Sequence, residues 1–215
     1  MRGVRQFVYK VMYDSGGAPC VADGWLSLAI CKPQIRRTAR PGDRLWGFGG
    51  NNDDPPNRLI FVGDVSMRVG DGDYYRLNEF ADRPDAIYRW SPDAELVPRD
   101  DARFHTDVND HVRGKDIGTY PEYANANVLV CDDYRYFGHR ADDAWKADCP
   151  KLADAVERLG QGHLVRHEPS VEDELDRLRR SLWRRFRKRD VGRPTEDTGR
   201  VAGRCSTPCK EISKS

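Results

Sequence analysis

The chain has 215 residues with 36 basic and 35 acidic side chains, 38% hydrophobic residues and a formal net charge of +1. This length can bury a hydrophobic core and fits one domain with an appendage, while the balanced charge excludes a uniformly basic nucleic-acid wrapper but not a local basic patch. No apolar run reaches the ~20 residues of a membrane span, and the N-terminus has no signal-peptide core. We therefore expect a cytoplasmic protein without a membrane partner.

Four short strands are predicted in the first 65 residues. Alternating β-branched and aromatic residues predict the first over residues 6–13. Apolar runs predict three more over residues 25–31, 45–48 and 58–65, and Pro33 ends the second because proline cannot donate to a strand ladder. Turns rather than helices separate these strands, which is typical of an antiparallel barrel or a strongly bent sheet.

The stretch from residue 67 to residue 126 shows no sustained periodicity. An insertion of this length in a compact domain is usually functional or flexible. It carries several aromatic residues that either form a lid and stack on a base or cover one side of the barrel. These residues are Tyr74, Tyr75, Tyr88 and Trp90.

A buried strand is predicted next, over residues 127–136, and it contains two adjacent carboxylates. Asp132 and Asp133 point to opposite faces of a strand, so they do not form a paired-carboxylate site by simple proximity. One of them caps a turn or pairs with an arginine, or serves as a metal ligand or general base if it faces a pocket.

The C-terminal third is predicted to be helical. One helix is expected over residues 145–159, and a second begins at Ser170 with acidic residues in its first turn. The second helix has an apolar stripe and a basic end that either grips phosphates or is a solvated face. The basic residues at this end are Arg184, Arg185, Arg187, Lys188 and Arg189.

The six cysteines form no C-x-x-C pair, so we expect neither a zinc ribbon nor, in the cytoplasm, disulfides. Cys205 and Cys209 are expected to be free thiols of a polar tail. His163 and His167 have ligand-like spacing but no cysteine pair before them, and we place them in a loop between helices. No metal and no cofactor are predicted.

Cations crowd the end of the second predicted strand, at Lys32, Arg36, Arg37, Arg40 and Arg44. Guanidinium groups recognise phosphate with paired donors, so their convergence would give salt-dependent binding to a nucleotide or strand. Trp46, Tyr13 and Trp25 are candidates for stacking, while Asp43 and Asn51 are candidates for reading a base edge. In the alternative interpretation the tryptophans belong to the core, Asp43 to a tight turn and the arginines to the surface. The predicted ligand-binding residues are Tyr13, Lys32, Arg36, Arg37, Asp43, Trp46 and Asn51.

Four runs of residues carry a family resemblance. They are D-S-G-G-A-P, L-A-I-C-K-P-Q-I-R-R, G-D-R-L-W-G and, from Cys131, C-D-D-Y-R-Y-F-G. Together they resemble the nucleotide modification associated domain of the second type, a family of phages and bacteria found among genes that modify nucleic-acid bases. The turn and strand P-G-D-R-L-W-G and R-L-I-F-V-G-D-V are also similar, more weakly, to EVE, ASCH and other PUA-like barrels, which hold nucleobases in a pocket.

These observations predict an α+β chain with a PUA-like antiparallel barrel and C-terminal helices. Its parts are a barrel domain over residues 1–140 with the insertion 67–126, a helical pair over 141–189 and a disordered tail over 190–215. The first functional hypothesis is binding of a modified base or nucleotide in a barrel pocket. The second is an enzyme of base or nucleotide modification, with Asp43, Asp132, Asp133 and Cys31 as candidates. Lys32 beside Cys31 is a neighbour that lowers a thiol pKa, which suits a nucleophilic or redox role, whereas in the alternative interpretation Cys31 is a small buried strand residue. The third is a component that binds partner proteins through its basic helix.

Overall fold

The computed structural model describes residues 3–106, 109–160 and 162–195. Within them lie eleven strands and five α-helices. The strands are β1 (Gln6–Lys10), β2 (Cys20–Ala22), β3 (Trp25–Leu28), β4 (Arg44–Phe48), β5 (Leu59–Asp64), β6 (Met67–Val69), β7 (Tyr88–Trp90), β8 (Leu96–Pro98), β9 (Val128–Cys131), β10 (Asp133–Tyr136) and β11 (His163–Leu164). The helices are α1 (Pro33–Thr38), α2 (Asp110–Asp116), α3 (Trp145–Asp148), α4 (Pro150–Arg158) and α5 (Pro169–Arg185).

The strands form three sheets. A five-stranded sheet has the order β10-β5-β4-β1-β11, a four-stranded sheet has the order β2-β3-β9-β6, and β7 pairs with β8. The expected α+β class is confirmed. A PUA-like barrel is not, because the described strands form no closed barrel and β1 runs parallel to β4, with Phe7 opposite Leu45.

Two short connections join the large sheets. The chain passes from β5 in the first sheet to β6 in the second, and from β9 in the second back to β10 in the first. The sequence predicts one strand over residues 127–136, whereas the structure breaks it at Asp132. The four strands predicted before residue 65 correspond to β1, β3, β4 and β5, with shorter bounds.

The four-stranded sheet separates two hydrophobic cores, as the two-residue period of a strand requires. In β9, Leu129 and Cys131 face the core shared with the five-stranded sheet and the C-terminal helices. Val128 and Val130 face a second core, built largely by residues 67–126. The aromatic residues Tyr74, Tyr75 and Tyr88 belong to this second core.

Proline determines where three helices begin. Pro33 was expected to end a strand, but it also occupies the first turn of α1, where its missing N–H costs nothing. The single helix predicted over residues 145–159 is wrong, because Pro150 cannot donate to the preceding turn and the chain divides there into α3 and α4. α5 is confirmed, and it begins at Pro169, one residue before the predicted N-cap.

The C-terminal segments return to the first sheet. The loop predicted for the two histidines is wrong for His163, which lies in β11 opposite Tyr9 of β1. His167 Nε2 donates to the carbonyl oxygen of Gln6 at 2.7 Å. After α5, the N–H of Val191 donates to the carbonyl oxygen of Tyr136 at 2.9 Å, and the remainder of the predicted tail, from residue 196, lies outside the described residues. No helix in the described part of the chain is both long and apolar enough to cross a membrane.

Candidate active site

The residues predicted to hold a base or nucleotide lie in several environments. Trp46 is fully buried, donates from Nε1 to Gln6 Oε1 at 3.0 Å and stacks on Phe48 with ring centroids 6.4 Å apart. Asp43 is buried in the turn before β4, where its carboxylate accepts from the Arg40 N–H at 2.8 Å and from the Arg5 guanidinium at 2.6 Å. These contacts agree with the alternative interpretation, in which Trp46 belongs to the core and Asp43 to a tight turn.

The exposed members of the predicted set have different neighbours. Arg37 donates to Gln34 Oε1 at 2.7 Å on the outer face of α1. Asn51 accepts from Lys10 Nζ at 3.0 Å and donates to the carbonyl oxygen of Glu157 at 3.0 Å. Tyr13 is 42% exposed, whereas Trp46 is fully buried, so the two rings do not form one open stacking wall.

Arg36 is fully buried and donates to five backbone carbonyl oxygens. Its guanidinium contacts the oxygens of Cys31 at 2.7 Å, Asn127 at 2.8 Å, Asp116 at 2.9 Å and Lys115 at 3.0 Å, and also that of Asn125. Burial lowers the pKa of Arg36. The side chain therefore holds the start of α1 against the end of α2 and the loop before β9.

Beside this arginine, three side chains form a hydrogen-bonded series. Cys31 Sγ lies 3.7 Å from His105 Nε2, and His105 Nδ1 lies 2.6 Å from Asp116 Oδ2. The other carboxylate oxygen, Asp116 Oδ1, accepts from the backbone N–H of Cys31 at 3.1 Å. A thiol, an imidazole and a carboxylate in this order are the nucleophile, base and orienting group of a covalent catalyst.

Burial decreases along the series from the carboxylate to the thiol. The side chains of Asp116 and His105 are 1% and 8% exposed, whereas Cys31 is half-buried. A carboxylate that is withdrawn from water fixes the imidazole orientation, while Cys31, at the other end, is the least buried of the three residues. Asp132, in contrast, is exposed, and Asp133 pairs with Arg135 and Arg179, both at 3.3 Å, as the sequence interpretation allowed.

Local backbone geometry presents Cys31 and His105 to each other. Cys31 and Lys32 join the region of β3 to α1 with φ values of 59° and 43°, and His105 has a φ of 51°. Residues other than glycine seldom adopt this left-handed region, and such strain clusters at active sites. Asp116 is the last residue of α2, which Asn109 caps by accepting from the Val112 N–H at 3.0 Å.

A fourth group reaches the carboxylate from the second core. The Tyr88 hydroxyl donates to Asp116 Oδ2 at 3.0 Å, and burial followed by the Asp116 charge raises the pKa of Tyr88. Tyr88 also lines a cavity of about 410 Å³ together with Tyr75, Arg89 and Arg99. The Tyr88 ring thus lines the cavity, and its hydroxyl is hydrogen-bonded to Asp116 of the candidate active site.

The other three described cysteines are buried. Cys20, Cys131 and Cys149 are buried free thiols, and burial raises the pKa of each. A raised pKa disfavours the thiolate, so these residues are suited to packing rather than to attack. Cys205 and Cys209 lie outside the described residues. In the part of the chain that the structure describes, no three His, Cys, Asp or Glu side chains are placed to hold a metal ion.

Sequence reasoning named Cys31 but missed its partners. His105 and Asp116 are 74 and 85 residues further along the chain, in the stretch without periodicity. Tyr88 was named there as an aromatic residue, without its link to a carboxylate. The motif C-K-P-Q-I-R supplies Cys31 and Arg36, but no pattern in the sequence links either of them to His105 or Asp116.

Comparison with known proteins places the chain in a family. No curated protein and no solved structure matches it. The model of the family described as nucleotide modification associated domain 2 matches residues 4–200. This match includes Cys31, His105 and Asp116 and extends past α5, beyond the motifs quoted above. Because it covers most of the 215 residues, the chain belongs to the nucleotide modification associated domain 2 family.

Proposed function

We propose that this protein is a thiol-dependent enzyme of nucleotide modification, in which Cys31 attacks an acyl carbon carried by a modified nucleotide or base. The observation that carries the proposal is the series from the half-buried Cys31 through His105 to the buried Asp116. Membership in a family associated with nucleotide modification supports the substrate class. Acyl transfer is the reaction for which this arrangement of thiol, imidazole and carboxylate is best suited.

The reaction uses the residues in the following roles. His105 Nε2 accepts the thiol proton as Cys31 Sγ bonds to the acyl carbon, and the carbonyl electron pair moves onto oxygen. When the pair returns, the bond to the amine or alcohol breaks and His105 gives its proton to that leaving group. A water molecule, deprotonated by His105, then attacks the thioester, the carboxylic acid leaves, and the thiolate recovers its proton.

Three contacts hold these groups in position. Asp116 accepts from His105 Nδ1, which directs Nε2 towards the sulfur. Arg36 binds the carbonyl oxygens of Cys31 and Asp116, so it fixes the distance between the two ends of the series. Tyr88 donates to Asp116 and restricts the rotation of the carboxylate. None of the three needs to move during the reaction.

An acyl probe and acylated bases test this proposal. The protein is incubated with p-nitrophenyl acetate and with oligonucleotides that contain N4-acetylcytosine or N6-acetyladenine. Mass spectrometry is expected to find an acetyl group on Cys31 and loss of the acetyl group from a base. Cys31→Ala abolishes both changes, and Cys149→Ala, a change at a buried thiol, preserves them. Release of acetate at the wild-type rate by Cys31→Ala would contradict the proposal.

Binding without turnover is a second candidate, favoured by the cavity beside Tyr75 and Tyr88. Aromatic walls suit a planar base, and Arg89, which is exposed at the rim, suits a phosphate. We expect selective binding of a modified nucleotide that Arg89→Ala weakens, measured by calorimetry with Cys31→Ala as the host protein. Arg37→Ala, at an exposed arginine elsewhere, is the matched control.

Nucleic acid rather than a free nucleotide is favoured by the basic end of α5. Arg177 and Arg179 earlier in this helix pair with acidic residues. Further along lie six exposed cations that form no ion pair within the described residues. They are Arg180, Arg184, Arg185, Arg187, Lys188 and Arg189. Such a group releases counterions when it meets phosphates, so DNA binding should weaken with salt.

Reversing two of these charges tests the nucleic-acid contact. Arg184→Glu with Arg187→Glu should weaken binding of a 20-nucleotide single strand and reduce the magnitude of its salt slope by about 1.4. Arg177→Glu, at a cation already held by an acid, is the control. Unchanged DNA binding would favour the third hypothesis, in which this end of α5 binds a partner protein.

A further inference from the structure

Arg40 and Arg68 form no ion pair in the part of the chain that the structure describes. Arg40 follows α1 and is exposed, while Arg68 is the middle residue of β6 and is half-buried. The neighbouring Arg44, in contrast, pairs with Asp64 at 2.5 Å. Charges withdrawn from water are usually paired, so a half-buried arginine without an ion pair suits the binding of an external anion.

Backbone contacts bring the turn after α1 and strand β6 together. Val65, just before β6, accepts from the Gly42 N–H, and its own N–H donates to the Asp43 carbonyl oxygen, both at 2.8 Å. Within the sheet, Arg68 is opposite Leu129, which faces the first core. Opposite residues of antiparallel strands share a face, and α1 packs into the same core. Arg68 therefore projects on the side of the sheet where α1 and its following turn lie.

Asn127 connects Arg68 to the scaffold of the candidate active site. Arg68 Nη2 donates to Asn127 Oδ1 at 2.5 Å, and Arg36 Nη1 donates to the carbonyl oxygen of the same asparagine at 2.8 Å. Arg36 in turn binds the carbonyl oxygens of Cys31 and Asp116. The Arg68 guanidinium is thus held by the same contacts that position the candidate active site.

The positive charge of this surface is not balanced by an ion pair. Arg68 Nε is buried and has no hydrogen-bond partner in the described residues, and Arg68 Nη1, which is not buried, makes no hydrogen bond there either. Burial and then the charge of Arg40 lower the pKa of Arg68, and the exposed Asp71 opposes this effect without forming an ion pair. Guanidinium groups stay charged at neutral pH, so an anion between two of them removes their mutual repulsion.

We infer that Arg40 and Arg68 together bind a phosphate group of a nucleotide or of a nucleic-acid strand. Arg68 Nη1 and the exposed guanidinium of Arg40 donate to its oxygens, in the charge-assisted contacts that arginine makes with phosphate. This site is separate from the basic end of α5. It goes beyond the proposed function, because phosphate binding here requires no reaction at Cys31.

Phosphate-bearing probes test this inference in the Cys31→Ala protein, where no reaction of that thiol can follow binding. The probes are inorganic phosphate, AMP and a 20-nucleotide single strand, and adenosine serves as a probe that lacks phosphate. Calorimetry measures binding of the small probes, and fluorescence anisotropy measures binding of the strand at a series of salt concentrations.

We expect Arg40→Gln and Arg68→Gln each to weaken binding of the phosphate-bearing probes by about tenfold, because each removes a charge-assisted hydrogen bond. Each should also reduce the magnitude of the salt slope of the strand by about 0.7. Adenosine binding should not change. A loss with AMP and inorganic phosphate identifies a terminal phosphate as the ligand, and a loss confined to the strand identifies a backbone phosphate.

Arg158→Gln is the matched control, because Arg158 is an exposed arginine at the end of α4 that forms no ion pair within the described residues. Arg68 also holds Asn127, so urea denaturation checks the fold of Arg68→Gln, and Arg40→Gln, at an exposed residue, tests the site independently. Unchanged binding by Arg40→Gln, equal losses from Arg158→Gln, or a host protein that binds no phosphate-bearing probe would overturn the inference. The proposed function is tested separately, by acetylation of protein that retains Cys31, so the two can fail independently.

Discussion

Two buried aspartates lie in the stretch from residue 67 to residue 126. Both accept a hydrogen bond from a tyrosine, but their other partners differ. Asp85 accepts from Ser27 at 2.5 Å and Tyr74 at 2.8 Å and lies 3.6 Å from Arg83. Asp116 likewise accepts from a tyrosine, but its other partners are His105 and the backbone of Cys31.

The difference lies at the outer end of each network. Ser27, Tyr74 and Arg83 are all buried, with exposures of 0%, 0% and 3%. Every partner of Asp85 is thus enclosed, and the network fastens the second core to β3. The Asp116 network includes the half-buried thiol of Cys31. Burial of a carboxylate alone does not indicate chemistry, whereas its connection to an accessible nucleophile does.

The largest expected effect is on the rate, from Asp116→Asn. An amide at this position stabilises the wrong imidazole tautomer, so acetylation of Cys31 should slow by about 10³–10⁴-fold. The p-nitrophenyl acetate assay measures this rate, and circular dichroism checks the fold. Asp85→Asn, the matched change in the enclosed network, should leave the rate per folded molecule unchanged. Equal losses from the two substitutions would remove the distinction between the networks.

The next effect is on stability, from Asp85→Ala. Loss of this carboxylate leaves the buried Arg83 guanidinium with neutral acceptors and, at 4.0 Å, the exposed Asp23 carboxylate. We expect the free energy of unfolding to fall by about 3–5 kcal/mol. Urea denaturation measures the change. Acetylation of Cys31 below the transition should remain near the wild-type rate. A loss under about 1 kcal/mol would mean that the Asp85 network does not fasten the core.

Arg36→Met tests the side chain that both stabilises the buried interior and positions the candidate site. Five carbonyl oxygens lose a buried donor, so we expect a loss of about 3 kcal/mol in urea denaturation, together with slower acetylation. The sequence prediction instead has Arg36 bind phosphate. A variant of wild-type stability with weaker, less salt-dependent DNA binding would support that prediction and contradict the positioning role.

The smallest effect concerns His163, which pairs with β1 near Lys32. Burial and then the Lys32 charge lower the pKa of His163 from 6.5. The unfolded chain therefore binds the proton more readily, and stability is lost as the pH falls below about 6.5. Denaturation of wild type and His163→Gln at a series of pH values measures this contribution. The two curves of unfolding free energy against pH should converge above neutral pH and separate in acid. Parallel curves would contradict a lowered pKa of His163.

Much of the fold could be predicted because its signals are local. The alternating residues of β1 and the apolar stripe of α5 are sufficient to define these elements. The parallel pairing of β1 with β4 could not be predicted, since turns between short strands suggest antiparallel neighbours. The start of α1 was missed because Pro33 fits both the end of a strand and the first turn of a helix.

The candidate site was less predictable for a physical reason. Cys31 and Arg36 stand together in one motif, but the chemistry depends on His105 and Asp116, which tertiary contacts bring to them. These contacts depend on backbone carbonyl oxygens that bind Arg36, and a carbonyl is present at every residue. No residue type in the sequence therefore identifies them.

The central claim is that Cys31 and His105 act as a reactive pair, and the pH dependence of Cys31 alkylation tests it most directly. Iodoacetamide labelling of Cys31 is followed by peptide mass spectrometry, with N-acetylcysteine as the reference thiol. At about pH 6.5, below the ordinary thiol pKa of about 8.5, we expect Cys31 to react roughly tenfold faster than the reference or more. His105→Gln should remove this advantage. A wild-type Cys31 that reacts no faster than the reference, with or without His105, would contradict the account.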